Sequence, residues 1–388
     1  MKILLVHTHY QMRGGEDAVF EQEKKLLGTD NDVETVIYQN QAGVKGLLQF
    51  LFSVWNIGAA RKLISHINKF QPSVIHIHNW HFASGPIIVK TAKKHKIPVV
   101  LTLHNYRLLC PSASLMNGEK IFLDSLHQQF PWLAVKKGLY RKSVMQTFWL
   151  AFVVWIHKKS GTWKNADRFI VLTPFAKALF LESSLGLRKN QIVVKPNFVS
   201  APPALNNKQV RCGFLFAGRL TEEKGVLVLL EAFAKTSMNL KIAGEGPLLA
   251  VVKETMQTNP NIQYIGKLDS ASLISAMASS EALIFPSVWY EGMPMTILEA
   301  FATGTPVIAS NLGAMKSMIE DNHNGLHFEP GNAEDLLQKV TLWKTFSPEQ
   351  KQNIGQNALH SYMQQYTPAT NKALLMDIYN AVVNNNES

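Results

Sequence analysis

The sequence predicts an α/β protein of two domains, each a parallel sheet with helices on both faces. Three observations carry this. Short apolar runs alternate with amphipathic stretches, the pattern of strands buried on both sides and joined by crossover helices. The alternation breaks once, at a Pro- and Asn-rich segment, and then restarts. The chain has 388 residues, 46% of them hydrophobic, which is long for one core and suits two.

The first half reads in order. "KILLVHT" is a strand. "EDAVFEQEKKLLG" is a helix, with acids in its first turn, lysines near its end and Gly28 as a stop. "DVETVIY", "PSVIHIHN", "PVVLTLHN", "DRFIVLT" and "QIVVKPN" are strands, and "GPIIVKTAKKHK" is a helix. "KPNFVSAPPALNNKQV" is the linker, which sets domains of 1–198 and 199–365. After it, "RCGFLFAGRL", "NLKIAGEGP", "NIQYIGKL", "EALIFPS" and "TPVIAS" supply strands. "GVLVLLEAFAKT", "SASLISAMASS" and "PMTILEAFATG" supply helices.

Two cysteines, Cys110 and Cys212, exclude a disulfide framework and point to a reducing, cytoplasmic setting. The start, "MKILLVHTHY", is a poor signal peptide and a good first strand. Charge is uneven: residues 1–200 hold 26 Lys and Arg against 11 Asp and Glu, the remainder 13 against 17. A basic first half attracts nucleic acid, an anionic membrane face or an acidic substrate. The basic residues are scattered, without the aromatic interleaving of RNA modules, so no nucleic acid is expected.

Ligands of open α/β sheets bind beyond the carboxyl ends of the strands, and two such domains facing each other would enclose a cleft. The polar residues placed there are the candidate site. In "PSVWYEGMPMTILEAFATGTPVIAS", Glu291 falls in the loop after a strand, at the mouth of the cleft, and Glu299 falls inside the following helix. Between them, Gly292, Met293, Pro294, Met295 and Thr296 turn the chain into a helix start, whose unpaired amides favour an anion. An anion cradle beside two hydrogen-bond acceptors suits a phosphorylated, hydroxyl-rich ligand such as a nucleotide sugar. In "FAGRLTEEKGVLVLLEAF", Arg219 and Lys224 bring two cations to another helix start, where they would neutralise a diphosphate. Gly14 and Gly15 allow backbone to approach a ligand between the first strand and helix. The dinucleotide spacing G-x-G-x-x-G is absent there. "AGEGPL", with Gly244, reads as a second tight turn.

These segments, "MRGGED", "GRLTEEKG", "AGEGP", "YEGMPMTILEA" and "GTPVIAS", in this order, resemble the retaining glycosyltransferases of family 4, which have the GT-B fold of two Rossmann-like domains. The resemblance spans almost the whole chain. It implies transfer of a sugar from a nucleotide-diphosphate sugar to a carbohydrate or lipid-linked acceptor, in envelope or exopolysaccharide assembly, with no cofactor and no metal. It implies a final helix, about 366–388, packed back on the first domain. It implies that Glu291 touches hydroxyls of the donor sugar and Glu299 the ribose. Arg219 and Lys224 would hold the diphosphate, with backbone of Gly15 and of the 292–296 loop. Main chain near Gly266, Lys267 and Leu268 would read the base. His104, ending "VVLTLHN", matches the family's histidine near the donor sugar, with His78, Asn79 and Asn105 on the acceptor side. The chain departs from the family at Asn105, where Asp is usual, and at Phe198, where Gly is usual.

Three features invite other readings. "HIHNWH" holds His76, His78 and His81, but the first two share a strand face and read as a polar cleft wall rather than a zinc site. "DND", Asp30 to Asp32, reads as a helix-to-strand turn rather than a divalent-metal motif. Ser143 to His157 are fifteen uncharged residues between Lys and Arg, too few to span a bilayer. They read as a core helix or as an amphipathic element, around residues 136–159, on the anionic inner face of the cytoplasmic membrane, with Trp149 and Trp155 outward. Rival functions are a nucleotide-sugar epimerase on the same fold and a basic nucleic-acid-binding protein.

Overall fold

The computed structural model describes residues 1–11, 14–118, 120–202 and 210–387. Met12 and Arg13 of "MRGGED", and residues 203–209 of the predicted linker, lie outside the described residues. The chain forms two compact units. One comprises Met1–Asn117, Phe122–Asn197 and Asn371–Ser388; the other comprises Gly118–Ile121 and Phe198–Thr370.

In the first unit β1 (Lys2–His9), α1 (Gly15–Leu27) and β2 (Asp32–Gln39) come first, then α2 (Gly43–Phe52), α3 (Ile57–Phe70), β3 (Val74–Ile77), α4 (Ile87–Lys94) and β4 (Val99–Leu103). Strand β5 (Met116–Asn117) follows in this unit, while β6 (Lys120–Ile121) falls in the second. Then follow α5 (Trp132–Lys136), α6 (Val144–Lys159), β7 (Arg168–Val171), α7 (Pro174–Glu182) and β8 (Ile192–Val194). The sheet runs β2-β1-β3-β4-β7-β8 and is parallel throughout. Strand order reverses between β1 and β3, so their carboxyl ends bound a crevice.

In the second unit come β9 (Phe214–Ala217), α8 (Val226–Ala234), β10 (Leu240–Ala243), α9 (Leu249–Thr258), β11 (Ile262–Tyr264), α10 (Ser270–Ala278), β12 (Ala282–Phe285), α11 (Met295–Ala302) and β13 (Val307–Ser310). After these come α12 (Gly313–Met318), β14 (Gly325–Phe328), α13 (Ala333–Thr345) and α14 (Pro348–Gln365). The parallel sheet runs β11-β10-β9-β12-β13-β14, reversing between β9 and β12.

Helix α15 (Pro368–Glu387) closes the chain. From Asn371 on it belongs to the first unit, where Leu375, Ile378, Tyr379 and Val382 pack with Ile3, Leu5, Phe20 and Val100. Each such apolar side chain contributes about 1.5–3 kcal/mol by leaving water. The ends of the chain thus share one core. Asp32 opens β2, and Lys372 pairs with Asp30, so "DND" is a turn.

Candidate active site

The second unit is built around the loop from β12 to α11. Glu291 is only 6% exposed. Lys224 donates to its Oε1 at 2.6 Å, and the Ser287 hydroxyl donates to the same oxygen at 2.8 Å. Glu291 lies in the loop, as expected, and is buried there; an ammonium and a hydroxyl make burial of this carboxylate tolerable. Two rings flank the ammonium, Trp289 at 5.3 Å and Phe285 at 5.7 Å. Gly225 lets the two segments touch. Its φ is 72°, and a Cβ there would stand 1.8 Å from the Pro286 carbonyl oxygen. That approach is what brings Lys224 to Glu291.

Arg219 does not join this pair. Its side chain is 65% exposed and reaches Glu223, at 3.7 Å, a contact worth little in water. Glu299 lies on α11, and burial pushes its carboxyl up to about 7. Gly292, Met293 and Pro294 lead into α11, whose first turn holds Met295 and Thr296. Pro294 has extended backbone at the helix start. The Gly244 amide donates to the Gly266 carbonyl at 2.9 Å, and both residues have positive φ, 139° and 81°. A Cβ on Gly244 would stand 1.8 Å from the Gly218 oxygen. Residues 218, 244 and 266 thus lie together beyond β9, β10 and β11. Lys267 is exposed, 3.1 Å from Glu245, and Leu268 is half-buried.

In the first unit, β1 ends on His7 and His9, and both rings donate to Asp17 Oδ1, at 2.7 and 2.6 Å. Gly14 N–H donates to Asp17 Oδ2 at 2.8 Å, fixing the start of α1. Burial opposes ionisation of Asp17, yet the bonds from His7, Gly14 and His9 outweigh it and hold the carboxyl below its usual range. A Cβ on Gly14 or Gly15 would meet nothing within 4 Å, so open space lies beside that turn.

His104 follows β4 directly. Burial lowers its pKa to about 3, which keeps the ring neutral at pH 7. It shares a hydrogen bond with His78 at 3.3 Å. His78 in turn stands 3.4 Å from Glu23, whose carboxylate is paired with the buried Lys195. Asn371 of α15 accepts a further bond from Lys195, at 3.3 Å. His76 is fixed between Tyr379 and Thr102, at 2.7 Å each. Asn105 donates to Glu16 at 2.7 Å, and Asn79 donates to the Thr8 carbonyl at 2.9 Å. A polar pocket gathers Glu16, His78, Asn79, His104, Asn105 and Arg107.

Among the described residues, two trios bring ligating atoms within reach of one ion: His7, His9, Asp17 and Glu23, His76, His78. In the second trio Lys195 already neutralises Glu23, and a divalent ion would have to displace it. His81 belongs to neither. Sequence reasoning passed over Glu16, Asp17, Glu23, Arg107, Lys195, Ser287 and Trp289. Only Ser287, which closely follows a strand, and the acids of "GGED" carried a local signal.

Two family models match: glycosyltransferase family 4 over residues 28–201, and glycosyl transferases group 1 over residues 203–361. An uncharacterized glycosyltransferase of Methanocaldococcus jannaschii is 25% identical over 373 residues, 92% of each chain. The O-antigen biosynthesis glycosyltransferase WbnH of Escherichia coli is 31% identical over 159 residues, 39% of this chain and 43% of that one. Among solved structures, Anabaena HepE in complex with UDP superposes with a TM-score of 0.68 over 98% of this chain and 100% of that chain, at 15% identity.

Proposed function

From the premise that this chain belongs to the glycosyltransferases, with group 1 and family 4 domains on a GT-B fold, we propose that it transfers a sugar from a nucleotide-diphosphate sugar to a carbohydrate or lipid-linked acceptor, with retention. One observation carries the reading most: a lysine, a carboxylate and a helix start converge where β12 ends. In this reading the diphosphate lies on Lys224 and on the backbone of the 292–296 loop, with Arg219 swinging in from solvent. Glu291 accepts from donor-sugar hydroxyls, and Glu299 from the ribose. Main chain at Gly266, Lys267 and Leu268, beside Gly244, contacts the base. The relation to a protein crystallised with UDP makes UDP-sugars the first donors to assay.

The chemistry proposed is a front-face displacement. The bond between the anomeric carbon and the diphosphate oxygen breaks, and the bond to the acceptor oxygen forms on the same face. The acceptor proton passes to the departing phosphate oxygen. The protein then supplies charge stabilisation and positioning more than a proton shuttle. Lys224, Arg219 and the helix start provide that charge without recourse to a cofactor or metal. We assign His104, held neutral, a hydrogen-bonding role toward a sugar, and His78, Asn79 and Asn105, which line the same pocket, to acceptor contacts.

The setting we infer is the cytoplasm, at the inner membrane face, in envelope polysaccharide assembly; WbnH, named for O-antigen biosynthesis, is a relative in that line. No helix of the described residues is long and apolar enough to cross a membrane. Helix α6 has a buried side that includes Leu150, Ala151 and Val153, and Trp149 and Trp155 are half-buried, so the outward tryptophans expected there are not outward. The apolar exposure sits elsewhere. α2 buries no residue and exposes Val44, Leu47, Leu51 and Phe52, while Trp132 and Met145 are exposed near α5 and α6. Residues 35–118 contain no Asp or Glu and nine Lys or Arg. These features support a face that lies on an anionic bilayer. Flotation should track anionic lipid content and fall with Leu47→Glu and Phe52→Glu; indifference to lipid charge contradicts it.

Assays with UDP-, GDP- and ADP-sugars test the reading as a whole. Slow donor hydrolysis without acceptor and faster transfer with one are expected. Conversion of the donor to an epimer without acceptor would favour the epimerase instead.

A further inference from the structure

The end of β1 and the first turns of α1 hold a cluster of ligating side chains that the proposed transfer chemistry does not use. Strand alternation puts His7 and His9 on one face of β1. Asp17 and Phe20, three residues apart, share one face of α1. His7 stacks on the Phe20 ring at 4.5 Å, and His9 stands edge-on to His7 at 4.7 Å. This packing aims both imidazoles at one carboxylate oxygen: His7 Nε2 and His9 Nδ1 lie 2.7 and 2.6 Å from Asp17 Oδ1. The three ligating atoms all lie within 4.8 Å of one another.

Two imidazole nitrogens and a carboxylate oxygen are the donor set of a zinc-class ion, not of Mg²⁺ or Ca²⁺, which take oxygen ligands. Metal–ligand bonds of about 2.0–2.2 Å at tetrahedral angles separate ligand atoms by about 3.3 Å, so Asp17 Oδ1 need withdraw only about 0.6 Å. Gly14 N–H holds Asp17 Oδ2 at 2.8 Å, which leaves Oδ1 for the ion. Among the described residues no Lys or Arg pairs with Asp17, in contrast to Glu23, which Lys195 neutralises. The His9 side chain is 17% exposed, and a Cβ on Gly14 or Gly15 would meet nothing within 4 Å. An ion thus has a way in, and a fourth ligand has room. On binding, each imidazole moves its proton to its other ring nitrogen, His7 to Nδ1 and His9 to Nε2. His7 Nδ1 is buried without a hydrogen-bond partner among the described residues, so that proton stays unpaired. This cost holds the affinity to about the micromolar range.

We propose that His7, His9 and Asp17 form a binding site for a zinc-class divalent ion that ties the end of β1 to the start of α1. Glu16, next to Asp17 in the chain, accepts from Asn105 in the polar pocket, so occupancy of the site bears on that pocket through the first turn of α1. The inference is independent of the transferase reading, which routes no step through an ion.

The test is a titration of the chelator-stripped full-length protein with Co²⁺, read by its visible ligand-field absorption, with Zn²⁺ then added as competitor. One Co²⁺ per chain should bind with a Kd of about micromolar order, and Zn²⁺ should displace it. Excess Mg²⁺ should leave the band unchanged. His9→Gln and Asp17→Asn should each weaken Co²⁺ binding about tenfold or more. Cys212→Ser, which removes an exposed thiol, should leave binding as it was. Zn²⁺ should raise the Tm of the parent protein and not that of His9→Gln. If Asp17→Asn fails to fold, His9→Gln, at a half-buried position, decides. No Co²⁺ band, displacement by Mg²⁺, a band undiminished in His9→Gln, or a band lost in Cys212→Ser overturns the proposal.

Discussion

Lys224 and Glu291 stand 2.6 Å apart, so in this state each satisfies the other. A donor must enter as a third member, its phosphate sharing the ammonium and its sugar hydroxyls the carboxylate. Removing either side chain therefore has different consequences. Lys224→Ala leaves Glu291 buried, with the Ser287 hydroxyl still donating to it, and removes the diphosphate's cation. We expect donor KM to rise about tenfold or more. Glu291→Gln keeps the shape and loses the charge, and kcat should fall about 10²-fold, the scale of losing one positioned transition-state contact. Steady-state kinetics on purified variants read both. Glu299 gives a pH signature. Its carboxyl is raised to about 7 by burial, so the neutral form is the one the fold favours. Its stability contribution is full below the unfolded-state pKa and declines as pH rises toward 7. Glu299→Gln should flatten that decline in thermal melts between pH 5 and pH 8, estimates set by the roughly 4.3 of a solvated Glu. Ribose hydroxyls bind the ionised form, so UDP affinity should increase as pH rises through the same range; a flat profile contradicts the assigned contact.

At the scale of elements, the loops at strand ends carry the site, and glycines decide their shapes. Gly225 is the clearest case: φ is 72°, and Pro286 O would lie 1.8 Å from a Cβ. Gly225→Ala should destabilise the second unit by about 2 kcal/mol or more, since left-handed backbone and a steric clash add. A fall in Tm with loss of UDP binding is the expected reading. The sequence carried most of this scaffold. "EALIFPS" and "FAGRL" are apolar runs of strand length followed by turn residues, so β12 and β9, and hence the placement of Glu291 and Lys224, were legible. What sequence reasoning missed is tertiary. Nothing local says that Lys224 meets Glu291 rather than Arg219, because 67 residues separate the pair. Nothing local says that α2 buries none of its apolar residues, because amphipathic periodicity does not reveal whether a covering layer exists.

At the scale of the molecule, the first unit is completed by the last segment of the chain. Asn371 bonds Lys195 and the Pro196 carbonyl, and Tyr379 bonds His76. Lys195 and Glu23 are wholly buried as a pair. Breaking such a pair costs about 3–5 kcal/mol, so Lys195→Met should lower stability by that order in urea melts. Truncation after Thr370 removes four core side chains together with Asn371, and the first unit should lose cooperative unfolding while the second keeps it. The central claim concerns the second unit: a nucleotide diphosphate seated by Lys224, Glu291 and Glu299 at the start of α11. The most direct measurement is a crystal structure of the full chain soaked with UDP or GDP. The account predicts the diphosphate within hydrogen-bond reach of Lys224 and of backbone N–H groups at Gly292, Met293, Met295 or Thr296, with the ribose at Glu299. A nucleotide bound elsewhere, or none at concentrations that support turnover, would contradict it.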